Sequence, residues 1–171
     1  SARFASDERL NAFAYTDSCL TAFVNTLRDA PGWHNTLVVI VPDHFGCWPR
    51  NLTDMRQRHR VPLVITGGAL AEKGRVAVTG SQTDIAATLL GAMNLPAGAF
   101  PFSNDLCRDS ARGAFMTDPG SVTVATPGGS VTWNCDADRV EHTTLPPQQT
   151  ADAVADAKAY LQTLYSYLDS L

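Results

Sequence analysis

The chain has 171 residues, of which 44% are hydrophobic and 18% are charged, a composition typical of a globular protein that buries about 70% of its unfolded surface. The formal net charge of −4 and the lack of a long Lys/Arg run argue against a nucleic-acid partner. Every apolar run is shorter than the ~20 residues of a membrane span, so we expect a soluble chain without a spanning segment.

The first predicted element is a helix over residues 7–29. Ser6 is a suitable N-cap, and Pro31 with Gly32 ends the helix. Asp17 lies on the apolar face, where a structural role is favoured over a catalytic one because the sequence shows no partner for it. The face itself consists of apolar residues at helical spacing, namely Leu10, Phe13, Leu20, Phe23, Val24 and Leu27.

The main candidate site consists of a predicted buried strand and the two polar residues that follow it. The unbroken apolar run Leu37–Val41 predicts a strand buried on both faces of a parallel sheet. Asp43 and His44 follow it, at the strand end where open α/β sheets bind ligands. A carboxylate beside an imidazole can bind a divalent metal such as Zn or Mn, although such a dipeptide is more commonly a turn carboxylate and a solvated imidazole. Both side chains can serve one site only if the chain leaves strand geometry, which Pro42 and Gly46 favour.

Three stretches in order carry a family resemblance: residues 11–27, residues 35–46, and residues 60–68 with 80–90. Together they resemble the alkaline phosphatase superfamily, and within it the sulfatases and the lipoteichoic-acid-synthase-like phosphoglycerol transferases. The resemblance covers roughly residues 8 to 107. It implies an α/β fold, the C-terminal part of an alkaline-phosphatase-like sheet sandwiched by helices. The residue pattern beyond it predicts that this part is followed by a small antiparallel sheet with a C-terminal helix.

The resemblance also implies chemistry. Asp43 and His44 match the metal ligands of the family, with a divalent cation (Mn, Zn, Mg or Ca) as cofactor. Family members carry their nucleophile and further ligands well upstream, and residues 1–34 supply none. We therefore expect the C-terminal fragment of an extracytoplasmic enzyme that acts on sulfate or phosphate esters, inactive alone and completed by a missing N-terminal half. The alternative is a non-catalytic binding or structural module that retains the fold.

Two further stretches have a possible match in the family. His59 precedes the predicted strand Leu63–Thr66, where several members place a substrate-binding histidine; a solvent-exposed histidine in a basic loop explains the pattern equally well. Cys47-Trp48-Pro49-Arg50 resembles the sulfatase nucleophile motif Cys-x-Pro-x-Arg, but its Arg comes one position early and it follows the Asp-His pair. We therefore reject Cys47 as a nucleophile.

Together with the elements above, the rest of the sequence predicts two parts. These are an α/β part over residues 1–110 and a small α+β subdomain over residues 111–171. Residues 75–78 suggest a short strand, and residues 81–94 a helix in which Asp84 is a cap rather than a ligand. Alternating apolar residues from 114 onward predict an antiparallel meander of three strands. After a Pro-rich linker, a helix over residues 151–171 should dock on that meander.

Overall fold

Two antiparallel sheets organise the chain in the computed structural model, which describes residue 4 and residues 6–45, 51–52, 54–108 and 113–171. One compact unit combines Ser1–Val41 with Pro62–Lys73, and the other combines Pro42–Val61 with Gly74–Leu171. Within the described residues, no helix has the length and apolar character needed to cross a membrane. The boundary expected near residue 110 stays a prediction.

The first unit opens with helix α1, Glu8–Arg28, close to the predicted bounds. The predicted cap was wrong by one residue. Asp7, not Ser6, is the N-cap, and its Oδ1 accepts hydrogen bonds from the backbone N–H groups of Arg9 and Leu10 at 3.0 and 3.1 Å. A carboxylate at this position satisfies two unpaired N–H groups and also interacts favourably with the helix dipole, which explains the shift.

The apolar face of α1 is not buried by the described part of the chain. No residue of α1 is buried, and Phe13 and Phe23 are 58% and 55% exposed. Asp17 is exposed as well. The helical spacing therefore predicted the helix but not its packing, because periodicity identifies the apolar face and does not identify what covers it.

The strand predicted at residues 37–41 is present, but it pairs antiparallel and not parallel with its neighbour. Strand β1, Val38–Ile40, pairs antiparallel with β2, Val64–Thr66, and Val39 lies opposite Ile65. Within β1 only Val38 is buried. The expectation of a parallel strand buried on both faces was wrong for the described residues, because an apolar run is compatible with either strand direction and the tertiary partners decide the pairing and the burial.

The second unit is built on a four-stranded meander. Strands β3 (Ala114–Asp118), β4 (Ser121–Thr126), β5 (Gly129–Asn134) and β6 (Arg139–Thr143) pair antiparallel in chain order. The first three were predicted and are confirmed. Strand β6 was missed because all five of its residues are exposed, so that it lacks the alternating apolar pattern that marks a strand.

Helix α4, Pro147–Leu168, docks on one face of the meander, as predicted. It begins at Pro147 rather than at residue 151, since a proline at the first helical position has no N–H to leave unpaired. Ala153 and Ala157 are 4% and 0% exposed, and their small side chains let the helix approach the sheet closely. The core contains Val122, Val124, Val131, Trp133, Leu145, Ala153 and Ala157.

The opposite face of the meander is also covered. Because side chains alternate along a strand, Thr123 and Thr132 point away from α4, and their hydroxyls share a buried hydrogen bond of 2.9 Å. The short helix α2, Met55–Arg58, packs against β5. Arg56 of that helix donates from Nη1 to the carbonyl oxygen of Thr126 at 3.4 Å. The two central strands, β4 and β5, are therefore buried on both faces.

A capped helix precedes the meander. A 3-10 turn, Gln82–Asp84, leads into α3, Ile85–Ala92, and Ser81 and Asp84 form the predicted capping box. Asp84 is only 3% exposed. The interpretation of Asp84 as a cap is confirmed. Residues 75–78 have no regular structure, so the strand predicted there was wrong.

An exposed ion pair ties α4 to the sheet and gives a testable pH dependence. Asp138 accepts hydrogen bonds from Lys158 Nζ at 2.6 Å and from the indole N–H of Trp133 at 3.1 Å. These contacts, that of Lys158 first, lower the pKa of Asp138 below its ordinary value. The stabilisation is thus fully present above the unfolded-state pKa and is lost as the pH falls through the lowered folded-state pKa.

We expect Asp138→Asn to be less stable than the wild type at pH 7, with a difference in melting temperature that closes as the pH falls below about 4. Asparagine tolerates the positive φ of 45° at this position. Circular dichroism melts from pH 7 to 3 measure the difference. Asp156→Asn, at an exposed position on α4, is the control, and a gap that does not depend on pH would contradict the prediction.

Candidate functional site

Asp43 and His44 lie together in a bend, after the chain has left strand geometry. β1 ends at Ile40, and residues 41–45 belong to no strand. The predicted condition for both side chains to serve one site is therefore met. Oδ2 of Asp43 and Nε2 of His44 are 3.7 Å apart, and the two side chains are 88% and 73% exposed. Gly46, which was expected to assist the bend, lies outside the described residues.

Hydrogen bonds orient both side chains of this pair. Asp43 Oδ1 accepts from the backbone N–H of His44 at 2.9 Å, which leaves Oδ2 directed toward the imidazole. His44 Nδ1 lies 2.6 Å from the carbonyl oxygen of Phe45. A carbonyl can only accept, so this contact requires a proton on Nδ1, and in the neutral ring Nε2 then carries the free lone pair.

The donor set fits a divalent cation. A metal-bound histidine commonly donates its second ring N–H to a carbonyl or carboxylate, as His44 does to Phe45. Two atoms that each lie about 2.1 Å from one ion can be at most about 4.2 Å apart, and the separation of 3.7 Å between Oδ2 and Nε2 satisfies that limit. Within the part of the chain that the structure describes, no third Cys, His, Asp or Glu joins them in a metal-binding group.

One residue at this bend could not be predicted from the sequence. Gln82 donates from Nε2 to the carbonyl oxygens of Pro42 and Asp43 at 2.7 and 3.1 Å. Nothing in the local pattern indicated this contact, because it joins residues about 40 positions apart. The available signal was indirect: Gln82 follows Ser81, the first residue of a recognisable capping box.

His59 lies at the C-terminal end of α2 rather than in a loop. Its Nε2 is 3.6 Å from Oδ2 of Asp118 on β3, and its side chain is 27% exposed. Among the described residues, no hydrogen bond or ion pair connects His59 to Asp43 or His44. The predicted substrate contact stays a prediction, and the Cys47–Arg50 segment lies outside the described residues.

The comparisons with known proteins address the family directly. The sulfatase family model matches residues 5–95, which is more than half of the chain. The chain belongs to the sulfatase family. This finding confirms the resemblance to the alkaline phosphatase superfamily, whereas the narrower assignment to the lipoteichoic-acid-synthase-like transferases stays a prediction.

A solved structure supports the same placement of this sulfatase-family chain. The crystal structure of a protein in the alkaline phosphatase superfamily from Vibrio parahaemolyticus is similar, with a TM-score of 0.68 and 20% sequence identity. At this identity the similarity shows the fold, and it confirms the predicted α/β class. The match covers 95% of this chain and 45% of the other, so the chain spans less than half of that protein. A sequence search against curated proteins finds no match.

Proposed function

We propose that this chain is the C-terminal part of a metal-dependent sulfatase or phosphoglycerol-transferase-like enzyme, in which Asp43 and His44 supply two metal ligands. The observation that carries the proposal is the arrangement of the pair. Oδ2 and Nε2 are 3.7 Å apart, and the contact between Nδ1 and Phe45 leaves Nε2 free to bind a cation. Members of the sulfatase family are generally metal-dependent, which agrees with this donor set.

In this proposal the metal ligands and the nucleophile are divided between this chain and an N-terminal half that lies outside it. A bound divalent cation polarises the phosphoryl or sulfuryl oxygen of an ester and favours deprotonation of a nucleophile. Asp43 brings negative charge to the cation, and His44 brings a neutral nitrogen ligand held by Phe45. An N-terminal half, outside this chain, supplies the nucleophile and the remaining ligands. We place the whole enzyme outside the cytoplasm, as the family resemblance implies.

His59 is proposed to bind the ester group of the substrate. Its Nε2 is buried and has no hydrogen-bond partner among the described residues, although the carboxylate of Asp118 lies 3.6 Å away. A ring nitrogen that can donate a hydrogen bond suits an anionic sulfate or phosphate group. In this role His59 exchanges its approach to Asp118 for a contact with the substrate.

A non-catalytic module is the second candidate, and one observation favours it. Asp43 and His44 are largely exposed, and no further titratable ligand in the described ranges completes a metal-binding group around them. Two protein ligands alone hold a metal weakly, since metal sites in proteins generally use three or four. The gene sequence upstream of Ser1 separates the two candidates. A Thr, Ser or Cys nucleophile at a strand end there would favour the enzyme, and its absence would favour the module.

Titration calorimetry of the 171-residue chain with Mn²⁺ and Zn²⁺ tests the proposal. We expect a dissociation constant of about 10–100 µM, worth roughly 5–7 kcal/mol, and we expect the binding to disappear in the double variant Asp43→Ala/His44→Ala. Glu141→Ala/His142→Ala is the matched control, because these residues form another exposed acid-histidine dipeptide, on β6. Binding should be unchanged in the control.

Two results would contradict the metal assignment. One is binding that survives in Asp43→Ala/His44→Ala but is lost in the Glu141→Ala/His142→Ala control. The other is the absence of binding to the wild-type chain at millimolar metal, which would support the non-catalytic module.

A further inference from the structure

The side-chain amide of Gln82 holds the backbone on both sides of the Asp43 Cα atom. Its Nε2 donates one hydrogen bond to the carbonyl oxygen of Pro42 at 2.7 Å and another to that of Asp43 at 3.1 Å. These carbonyls belong to the peptide units immediately before and after Asp43. A primary amide suits this task because one nitrogen carries two N–H donors without a charge. The contact therefore restricts the backbone orientation of Asp43 and the start of His44.

Gln82 is itself fixed by its neighbours. The backbone N–H of Ser81 donates to Oδ2 of the buried Asp84 at 2.7 Å. The Ser81 hydroxyl accepts from the N–H of Phe115 at 2.9 Å and donates to the Phe115 carbonyl oxygen at 3.2 Å. Because Phe115 belongs to β3, the turn that carries Gln82 is anchored to the meander. The amide thus connects a rigid part of this unit to the bend.

The Gln82 contacts join the bend to a part of the chain about 40 positions away in sequence. Residues 42–45 form no strand pairing, and the hydrogen bonds within the Asp43–His44 pair are local. Local hydrogen bonds orient the side chains relative to one another but do not fix the pair against the rest of the unit. Metal affinity depends on ligands that are already in place, and loss of supporting hydrogen bonds typically weakens metal binding 10–100-fold.

We propose that Gln82 is a positioning residue for the Asp43–His44 pair, acting through the carbonyl oxygens of Pro42 and Asp43. This inference rests on the proposed metal-binding function of the pair. Gln82 is solvent-exposed, so its removal should change global stability little, whereas it should change the order of the bend and the affinity of the pair for a cation.

The experiment compares Gln82→Leu and Gln82→Glu with the wild-type chain. Leucine has a similar size without donors, and glutamate places a carboxylate against two carbonyl oxygens. Gln148→Leu is the matched control, because within the described residues the Gln148 amide forms a hydrogen bond only with Asp152, one turn away on α4. Calorimetry with Mn²⁺ should give at least tenfold weaker binding for both Gln82 variants and unchanged binding for Gln148→Leu, with similar urea midpoints for all four proteins.

A second measurement does not depend on metal. The ¹H–¹⁵N heteronuclear NOE of the Asp43 and His44 amides, recorded without metal, should fall in both Gln82 variants and remain unchanged in Gln148→Leu. If the wild type binds no metal, the proposed function fails while this measurement still decides whether Gln82 positions the bend. Unchanged NOE values in the Gln82 variants would overturn the positioning role, as would wild-type metal affinity in Gln82→Leu.

Discussion

Replacing Asp84 with asparagine is expected to destabilise the protein by about 2–4 kcal/mol, although the two side chains have nearly the same shape. Asp84 is 3% exposed and accepts three hydrogen bonds. Oδ2 accepts from the backbone N–H of Ser81 at 2.7 Å, and Oδ1 accepts from the N–H and the side-chain amide of Asn104, both at 2.9 Å. A carboxylate can accept at both oxygens, whereas an asparagine must present an NH₂ group to one side.

Either orientation of that asparagine places a donor against a donor. With its NH₂ toward Ser81 it leaves one partly buried N–H without its acceptor, and with its NH₂ toward Asn104 it leaves two N–H groups without theirs. A buried unpaired donor costs about 1–3 kcal/mol, and hydrogen bonds to a charged group are the stronger ones. Urea unfolding followed by circular dichroism measures the loss. Asp17→Asn on the exposed surface of α1 is the control, expected within about 0.5 kcal/mol of wild type.

The same variant has a second readout. Burial raises the pKa of Tyr160, and the negative charge of Asp84 raises it further. Removal of that charge should therefore lower the pKa of Tyr160 part of the way toward its ordinary value, which a spectrophotometric titration of the phenol detects. A stability within 0.5 kcal/mol of wild type, together with an unchanged tyrosine titration, would show that Asp84 is not a buried ionised cap.

The sequence predicted elements whose signal is local. Helix α1, the Ser81–Asp84 capping box, strands β3 to β5 and helix α4 each follow from periodicity, a cap or a turn within a few residues. The family could be recognised because three short stretches occur in a fixed order. The bend at Asp43 and His44 could be anticipated as well, since proline and an adjacent acid are poor continuations of a strand.

Features that depend on distant partners could not be predicted. The antiparallel pairing of Val39 with Ile65 and the contact of Gln82 with Pro42 join residues far apart in the chain. Strand β6 exists because β5 offers a free edge with hydrogen-bonding groups, not because Arg139–Thr143 has a strand-like pattern. The stretch at residues 75–78 has such a pattern without a strand pairing. Tertiary partners therefore override local propensity in both directions.

The two glycines that follow β2 place a backbone where no side chain fits, and Gly67→Ala is expected to destabilise the first unit by about 2–4 kcal/mol. Gly67 has a φ of +131°, a conformation that residues with a Cβ rarely adopt. A Cβ on Gly67 would also overlap the carbonyl oxygen of Thr36 and approach the Cα of Leu37 to 2.9 Å. The atoms that the Cβ would meet are main-chain atoms. The N–H of Ala69 donates to the same Thr36 oxygen at 3.2 Å, which holds the two backbones together here.

A clash with backbone atoms cannot be relieved by a rotamer change, so the chain must move apart at this point. The segment that would move, residues 36–37, leads directly into β1 and from there to the Asp43–His44 bend. Urea unfolding and amide hydrogen exchange of β1 and β2 measure the effect. Gly74→Ala is the matched control, because nothing lies within 4 Å of a Cβ there. This substitution should leave the stability unchanged or raise it slightly. Equal stabilities of Gly67→Ala and Gly74→Ala would mean that the close approach of the Gly67 and Thr36 backbones does not hold these strands together.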